Sequence, residues 1–254
     1  METLIKVHQL NKWFHNGEQR LHVLKNISLD LYSGDFVSVM GPSGSGKSTL
    51  INVLGFLDNA YEGEYLFMGQ PVQGLTDRQL STLRNKQVGF IFQEFNLIAN
   101  MNVRENVQLP LLYGGESARK ALPKVEAALS KVGILDKLQA KPHELSGGQR
   151  QRVAIARALI HEPQFIIADE PTGALDTKTS QGIMAILKGL HEEGATIIMV
   201  THDPSLQEYA NRHIVIIDGQ VQEVAAHESV PLIQNFQKMR TSETTQRGLA
   251  DETD

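Results

Sequence analysis

The sequence predicts an α/β fold built on a mostly parallel sheet, and three short apolar runs are the basis of that prediction. Phe36–Met40, Phe165–Ala168 and Thr196–Val200 are almost continuously apolar, and segments with helical spacing separate them. Such runs are typical of parallel strands that helices cover on both faces. Each run ends in polar residues, and ligands in parallel sheets bind beyond the carboxyl ends of the strands. We therefore expect the polar ends to share one crevice.

Composition narrows the class of protein. At 254 residues the chain is long enough for one large domain, or for a domain with a subdomain. The absence of cysteine excludes disulfides and thiol catalysis and fits a reducing cytoplasm. A net charge of −5 argues against a nucleic-acid partner, whose binding surface is usually strongly basic. No apolar run approaches the ~20 residues that span a bilayer, and Met1–Lys6 lacks the plan of a signal peptide, so we expect a soluble chain.

The first apolar run leads into Gly41–Thr49, which fits the pattern of a phosphate-binding loop. Glycines in this loop permit backbone angles that turn successive N–H groups towards a polyphosphate. The loop leads into a helix predicted at Ser48–Leu54, whose N-terminus favours anions. Lys47 would supply a charge to the phosphates, and the Ser48 hydroxyl would bind Mg²⁺. The candidate nucleotide ligands here are Gly41, Ser43, Gly44, Ser45, Gly46, Lys47, Ser48 and Thr49.

The first 35 residues alternate in the manner of β-strands, as in Leu4–Leu10 and Ile27–Leu31. Together with a hairpin at Gly63–Gly69 they predict a small antiparallel sheet. Trp13 and Phe14 end one of its strands. An aromatic side chain at this position stacks on an adenine ring or caps the sheet, and the residues themselves leave both interpretations open.

Between about residues 95 and 160 the spacing becomes helical, for example at Val125 and Leu129, with Ser117 placed as an N-cap. These residues predict a helical subdomain inserted into the α/β core and entered through a strand at Val88–Gln93. The core then resumes and its last apolar run, His213–Ile217, ends in a turn at Asp218-Gly219.

We divide the chain into a domain at residues 1–224 and a C-terminal extension at residues 225–254. Within Ser229–Met239 a helical stripe is predicted, which packs either on its own domain or on a partner. Residues 241–254 are polar and predicted to be disordered. The stripe consists of Leu232, Ile233, Phe236 and Met239.

Four side chains at strand ends can perform phosphate chemistry. Asp169 follows a buried strand, where a carboxylate can hold Mg²⁺, and Glu170 can orient and deprotonate an attacking water. Gln93 has an amide that can contact both metal and water, and His202 can bond a γ-phosphate oxygen. The alternatives are a solvated acidic pair and two polar groups with purely structural hydrogen bonds; the shared location at strand ends favours the functional interpretation.

Leu145–Gln149 carries a hydroxyl and two glycines ahead of a helix predicted at Arg150–Ile160. The N-terminus of that helix is a second candidate anion site. One chain thus has two anion sites and a single set of metal and hydrolysis residues. The second site either binds something else or serves the nucleotide of another copy of the chain, and Asp176 could line the same boundary between subunits.

These motifs together resemble those of the ATP-binding subunit of ABC transporters, over roughly residues 3–224. The resemblance implies a P-loop NTPase core, with the antiparallel and helical subdomains already described, that binds ATP and Mg²⁺ and hydrolyses ATP. The motifs that carry it are Gly41–Thr49, Gln93, the signature Leu145–Gln149, Asp169-Glu170, Asp176 and His202.

The resemblance also implies a role for each residue. Two chains would sandwich two ATP molecules, and Phe14, where many relatives have tyrosine, would stack on adenine. The implied catalytic residues are Lys47, Gln93, Glu170 and His202, and the implied metal ligands are Ser48, Gln93 and Asp169. The implied cofactor-binding residues of the signature are Ser146, Gly147, Gly148 and Gln149, of which Ser146 and Gly148 would reach the γ-phosphate held by the other chain.

Within the family, Asn52–Asp58, Phe90–Ile98 and Ala168–Asp176 look like the subgroup of macrolide exporters, lipoprotein-release machines and antimicrobial-peptide resistance pumps. This likeness implies a homodimer on the cytoplasmic face of the membrane, a separate permease, a periplasmic or extracellular adaptor as a further candidate partner, and no nucleic acid. An importer ATPase and a non-transport ABC ATPase are the alternatives. A purely regulatory ATP-binding module should lack Glu170 or His202, and both are present.

Overall fold

A computed structural model describes residues 2–17 and 19–235, which form two sheets and a set of helices. The strands are β1 (Thr3–Asn16), β2 (Gln19–Tyr32), β3 (Phe36–Met40), β4 (Glu62–Phe67), β5 (Gln70–Pro71), β6 (Val88–Phe92), β7 (Phe165–Asp169), β8 (Thr196–Val200), β9 (Arg212–Ile217) and β10 (Gln220–Val224). The α-helices are α1 (Lys47–Leu54), α2 (Asp77–Gln87), α3 (Val103–Tyr113), α4 (Ala118–Lys131), α5 (Gly147–Leu159) and α6 (Thr177–Glu192). Short 3-10 helices lie at Leu135–Lys137, Pro142–Glu144 and Pro204–Tyr209.

The larger sheet has six strands in the order β10-β9-β3-β8-β7-β6. All neighbouring pairs are parallel except β10 with β9, which the turn at Asp218-Gly219 joins. Every residue of β3 and of β8 is buried, as expected for strands that are covered on both faces. The predicted α/β class and mostly parallel sheet are therefore confirmed.

The smaller sheet is antiparallel, in the order β2-β1-β4-β5, and confirms the predicted antiparallel sheet. Its strands β1 and β2 have 14 residues each and are longer than the sequence pattern indicates. Buried residues of β1, among them Leu4 and Leu10, share one core with α1 and one face of the larger sheet. The small sheet is thereby fixed against the helix that follows the phosphate loop.

Helices α3, α4 and α5 pack against one another between β6 and β7 in the chain, within the range predicted for the helical subdomain. Val107, Val125 and Val153 lie in a second core on the other side of the larger sheet. Ser117 precedes α4 at the cap position, but its side chain makes no capping hydrogen bond. Helix α5 begins at Gly147 rather than at the predicted Arg150, because Ser146 caps it.

The C-terminal extension is described only to residue 235. Residues 226–235 are helical, so the helix begins before the predicted Ser229. Ser229 is buried and its Oγ donates to Gln207 Oε1 at 2.5 Å, which fixes the helix on its own domain. Leu232 and Ile233 are half-buried. Phe236, Met239 and the predicted disordered segment lie outside the described residues, and the boundary at residue 224 stays a prediction.

None of the helices in the described part of the chain is long and apolar enough to cross a membrane.

Candidate functional site

The predicted crevice lies at the carboxyl edge of four adjacent strands. Strand β3 is followed by the phosphate loop, β8 by Thr201 and His202, and β6 by Gln93, while β7 ends at Asp169. These strands are neighbours in the order β3-β8-β7-β6 and run parallel, so their carboxyl ends lie along one edge. The sheet therefore brings together the side chains that the sequence singles out at the strand ends.

Close backbone packing fixes the shape of the phosphate loop. Gly44 and Gly46 have φ angles of 75° and 107°, in the left-handed region that favours glycine. A Cβ atom at Gly41 would lie 2.1 Å from the Ile216 carbonyl oxygen, so no side chain fits there. Helix α1 begins directly after Gly46, and its first N–H groups are available to an anion.

The ammonium of Lys47 lies over this loop. Its Nζ donates to the Gly41 carbonyl at 2.8 Å and to the Pro42 carbonyl at 2.9 Å. Partial burial lowers the pKa of Lys47, and the negative charges of Glu170 and Asp169 partly offset that effect. Lys47 thus lies at the loop with both carboxylates within electrostatic range, and its ammonium donates hydrogen bonds to the loop itself.

The hydroxyl groups of the loop have different surroundings. Ser43 and Ser48 are exposed and Thr49 is half-buried, so Ser43 and Ser48 can reach a ligand in the crevice. Ser45 is only 4% exposed, and its Oγ lies 2.8 Å from the position that a Cβ at Gly41 would take. The Ser45 carbonyl accepts a hydrogen bond from Gly219 N at 3.0 Å. The Ser45 side chain is therefore buried within the loop, and among the described residues its Oγ has no hydrogen-bond partner.

The two carboxylates differ in their environment. Burial raises the pKa of Asp169, the charge of Glu170 raises it further, and Lys47 lowers it. Glu170 has a φ angle of 48°, which costs about 1–3 kcal/mol for a residue other than glycine. Its N–H donates to the Val200 carbonyl at 2.9 Å. This bond extends the pairing of β7 with β8 by one residue while the left-handed turn redirects the chain.

His202 and Glu170 form an ion pair or hydrogen bond at the end of the sheet. His202 Nδ1 lies 2.8 Å from Glu170 Oε1, and Thr201 Oγ1 donates to Glu170 Oε2 at 3.5 Å. The carboxylate is 16% exposed and the imidazole 74% exposed. The two contacts hold the Glu170 carboxylate in one orientation and leave His202 accessible to a ligand.

Gln93 follows β6 and is exposed. Its Nε2 lies 2.9 Å from the position that a Cβ at Gly173 would take, so it packs against the segment that follows Glu170. Gln151 is not among the residues predicted from the sequence; it is fully buried and donates from Nε2 to the Pro171 carbonyl at 2.6 Å. Gln151 ties α5 to the segment next to Glu170. Its signal in the sequence is a polar residue in phase with Ala154 and Ile155 on the apolar face of α5.

The signature segment forms a capping box at the start of α5. Ser146 N donates to Gln149 Oε1 at 2.9 Å, and Gln149 N donates to Ser146 Oγ at 3.3 Å. Positions for a Cβ at Gly147 and Gly148 lie 3.0 Å from Leu175 and 2.3 Å from Thr179. The start of α5 therefore packs against the start of α6.

Asp176 is the N-cap of α6. It accepts hydrogen bonds from Thr179 N at 3.0 Å and from Thr179 Oγ1 at 2.6 Å. These bonds lower the pKa of Asp176, the side-chain bond most. Asp176 and Gly148 thus lie against the same threonine, Thr179.

The contact between Gly148 and Thr179 can be tested by substitution. Gly148→Ala should lower the free energy of unfolding by about 1–3 kcal/mol, because a methyl group at this position overlaps the Thr179 Cγ2 atom. Thr179→Ser removes that methyl group and keeps the hydroxyl that Asp176 accepts from, so it should restore most of the loss. Denaturant unfolding of both single variants and the double variant measures this. A Gly148→Ala chain as stable as wild type would show that the two helices are not in contact.

Phe14 lies near the end of β1 with 44% of its surface exposed. The neighbouring strand β2 connects this region to the phosphate loop, because Leu24 Cδ2 and the Val23 carbonyl oxygen lie 3.0 and 3.1 Å from the position of a Cβ at Gly46. Phe14 is thus an exposed ring on a strand whose neighbour, β2, contacts the phosphate loop.

Comparisons with known proteins show which family the chain resembles. The family model described as "ABC transporter" matches residues 24–173. The macrolide export ATP-binding/permease protein MacB of Aggregatibacter actinomycetemcomitans is 51% identical over 219 residues, which are 86% of this chain and 34% of that protein. The chain therefore spans about a third of that relative. The uncharacterized ABC transporter ATP-binding protein YknY of Bacillus subtilis is 45% identical over 86% of this chain and 95% of its own length.

Among solved structures, the chain is similar to the ATP-binding cassette MJ0796 in a dimeric, post-hydrolysis state bound to ADP and Pi. The TM-score is 0.80 and the sequence identity 41%, over 88% of this chain and 99% of that one. The phosphate loop, Gln93, Leu145–Gln149 and both carboxylates lie within the matched range, residues 24–173. The chain belongs to the ABC transporter family of ATP-binding proteins and is an ATPase of that family.

Proposed function

We propose that the chain hydrolyses ATP as the motor subunit of a transporter and drives a separate membrane permease, most simply for export. The observation that carries this proposal is the convergence of Lys47, Asp169, Glu170 and His202 at one edge of the sheet, beside a glycine loop and a helix N-terminus. Phosphate release by the purified chain, with and without Mg²⁺, tests the hydrolytic part directly.

The loop residues would bind the polyphosphate. Backbone N–H groups of Gly44 and Gly46 and the N-terminus of α1 suit the phosphate oxygens, and Lys47 would exchange its two carbonyl partners for them. The half-buried setting strengthens that charge interaction, since an ammonium outside bulk water is screened less.

Magnesium fits the oxygen donors around the loop. Ser48 is exposed at the start of α1, the Asp169 carboxylate lies at the end of β7, and the Gln93 amide follows β6. Mg²⁺ prefers hard oxygen ligands and is usually held by one or two protein groups together with phosphate oxygens and water. When bound, it would neutralise charge on the β- and γ-phosphates. Its positive charge would also stabilise the ionised form of Asp169, whose pKa burial raises.

Glu170 is our choice for the base that activates water. Its carboxylate is held by His202 and Thr201, so its orientation is set before a substrate arrives. The exposed ring of His202 would then contact the γ-phosphate. The hydrogen bond between His202 and Glu170 would couple that contact to the position of the Glu170 carboxylate. Gln93, packed against Gly173, would link the metal site to the helical part of the chain.

We propose that two chains form the working unit. The signature residues Ser146–Gln149 pack beside Leu175 and Thr179, in the segment that follows Glu170. The capping box does not use the N–H groups of Gly147 and Gly148, so these groups are available to a phosphate that a second chain holds. The similar MJ0796 cassette is a dimer in its state bound to ADP and Pi, which supports the same arrangement here.

A cleft next to Gln93 is the proposed docking site for a cytoplasmic helix of the permease. The cleft has a volume of about 750 Å³ and lies between α2, β6 and the C-terminal ends of α3 and α5. Leu57 and Tyr113 at its rim are 45% and 79% exposed. Its basic lining residues are Arg78, Arg84, Lys86 and Arg157, and among the described residues that line it none is acidic. An apolar helix with acidic residues is the complement of such a surface.

Export is the favoured direction because the relative at 51% identity bears the name of a macrolide exporter. The chain matches only its ATP-binding third, so both the transported substrate and the permease are expected to differ between systems. An importer ATPase is the alternative within transport, and co-purification of the permease would distinguish the two.

Cross-linking tests the docking cleft, and the cysteine-free chain allows single reporter cysteines. Asn96→Cys and Tyr113→Cys lie at the cleft and should cross-link to a co-expressed permease. Phe95 is a poor reporter because it is 8% exposed. Gln222→Cys is the matched control, because it is exposed on β10 at the opposite edge of the sheet. Cross-links from Gln222 and none from the cleft would show that the permease docks elsewhere.

A further inference from the structure

Lys12 is a buried lysine in the middle of β1. Only 4% of its side chain is exposed, and such burial is rare for lysine unless the charge is paired. Its Nζ donates to Asp58 Oδ1 and to the Ala60 carbonyl, both at 2.7 Å. The ammonium thus has two fixed partners in the segment that follows α1, and its position is determined closely.

The same ammonium lies over the ring of Phe14, 4.9 Å from the ring centroid. A cation at this distance is attracted to the negative face of an aromatic ring. Phe14 is nevertheless 44% exposed, so the contact leaves much of the ring accessible. One face of Phe14 is therefore held by a charge that is itself anchored in the protein.

An irregularity of the sheet makes this arrangement possible. The pairing of β1 with β2 shifts on both sides of the Lys12–Leu24 pair, so that the strands are not in regular register there. Such bulges bend a strand and redirect its side chains. Leu24, the partner of Lys12, packs next to Gly46 of the phosphate loop.

Asp58, which accepts a hydrogen bond from Lys12, gives a second connection to the phosphate site, through α1. Asp58 N donates to the Asn52 carbonyl at 3.1 Å, and Asn52 lies in the helix that begins at Lys47. Phe14, Lys12, Asp58 and α1 thus form a continuous chain of contacts from the exposed ring to the phosphate-binding helix.

We propose that Lys12 is a positioning residue for the nucleotide base: its ammonium holds Phe14 by one face so that the other face is presented to adenine at a fixed distance from the phosphate loop. This proposal rests on the proposed ATP site, in which Phe14 contacts the base. It goes further because it names Lys12 as the residue that sets the position of the Phe14 ring.

The test compares ligands with and without a base. Lys12→Met keeps the length of the side chain and removes the charge. It should weaken ATP binding to the full chain about threefold to tenfold, as expected for the loss of one cation–π contact. Binding of inorganic tripolyphosphate, which has no base, should change less than about twofold. Titration calorimetry with both ligands in the presence of Mg²⁺ measures this, and the KM for ATP should rise more than kcat falls.

Three further variants separate the possible outcomes. Lys12→Arg should retain most of the ATP affinity, and Lys12→Met should have no added effect in a Phe14→Ala background. Because Lys12→Met leaves Asp58 without its partner, Lys12→Met with Asp58→Asn is measured as well; it should fold and show the same selective loss. Equal weakening of ATP and tripolyphosphate in that double variant would overturn the proposal.

The same measurements test the role of Lys12 separately from the assignment of the ATP site. If Phe14→Ala weakens ATP binding and Lys12→Met does not, the positioning role is wrong and the site stands. If Phe14→Ala binds ATP like wild type, the base does not contact Phe14, and both assignments are wrong.

Discussion

The Glu170→Gln variant should bind ATP as the wild-type chain does and hydrolyse it about 10²- to 10⁴-fold more slowly, the range that a general base contributes. The amide keeps the shape of the carboxylate and can still bond His202 and Thr201, so the fold and the phosphate loop should be undisturbed. It cannot accept a proton from water. Because the nucleotide stays intact, we expect the variant to accumulate as an ATP-bound dimer.

Steady-state phosphate release and size-exclusion chromatography with ATP measure the two effects. Glu94→Gln is the matched control, since Glu94 is an exposed acid next to Gln93 and the chemical change is the same. It should hydrolyse ATP at the wild-type rate. Turnover close to wild type in Glu170→Gln would remove Glu170 from the role of base.

Mixing two inactive variants should restore activity if the ATP sites are shared between chains. Lys47→Ala removes the charge from the phosphate loop, and Ser146→Arg places a large side chain at the start of α5. In a heterodimer both changes fall in one site and the other site is intact. Half of the dimers in an equal mixture are heterodimers with one good site each, so roughly a quarter of wild-type sites should return. Each variant alone should be inactive.

Light scattering in the same samples shows whether ATP-dependent dimers form. A Lys47→Ala, Ser146→Arg double variant mixed with an inactive single variant is the control, because no pairing of those chains gives an intact site. Heterodimers that form readily but neither hydrolyse nor occlude nucleotide would contradict a composite site. Rescue by the double variant would contradict it as well.

The sequence predicts strands β3, β7 and β8 of the larger sheet well because each is a short apolar run, whereas β10 is largely polar and exposed and is not predicted. Strand β3 and strand β8 are buried at every position, and their polar successors lie where the parallel arrangement requires. Lys47, Asp169, Glu170 and His202 could be placed together for that reason alone. Their shared edge is a consequence of topology and needs no knowledge of side-chain packing.

Other features differ from the prediction or have no local pattern. The start of α5 is predicted at Arg150, but the capping box of Ser146 and Gln149, a local pattern that the prediction does not use, starts the helix at Gly147. The sequence is enough to propose that the Phe14 ring contacts the base, but it does not predict that Lys12 lies against that ring. Its inward position depends on a shift in strand pairing and on Asp58, 46 residues away in the chain.

The strand order of the larger sheet also determines when the protein can mature during synthesis. Strand β3, which carries the phosphate loop, pairs only with β8 and β9, and these leave the ribosome after residue 195. Pairing between such distant segments is slow, because a long loop must close first. A nascent chain therefore exposes an unpaired apolar β3 until β8 and β9 have been synthesised. ATP can stabilise the phosphate loop only after that point, so nucleotide should protect chains that contain β8 and β9 and have little effect on shorter precursors.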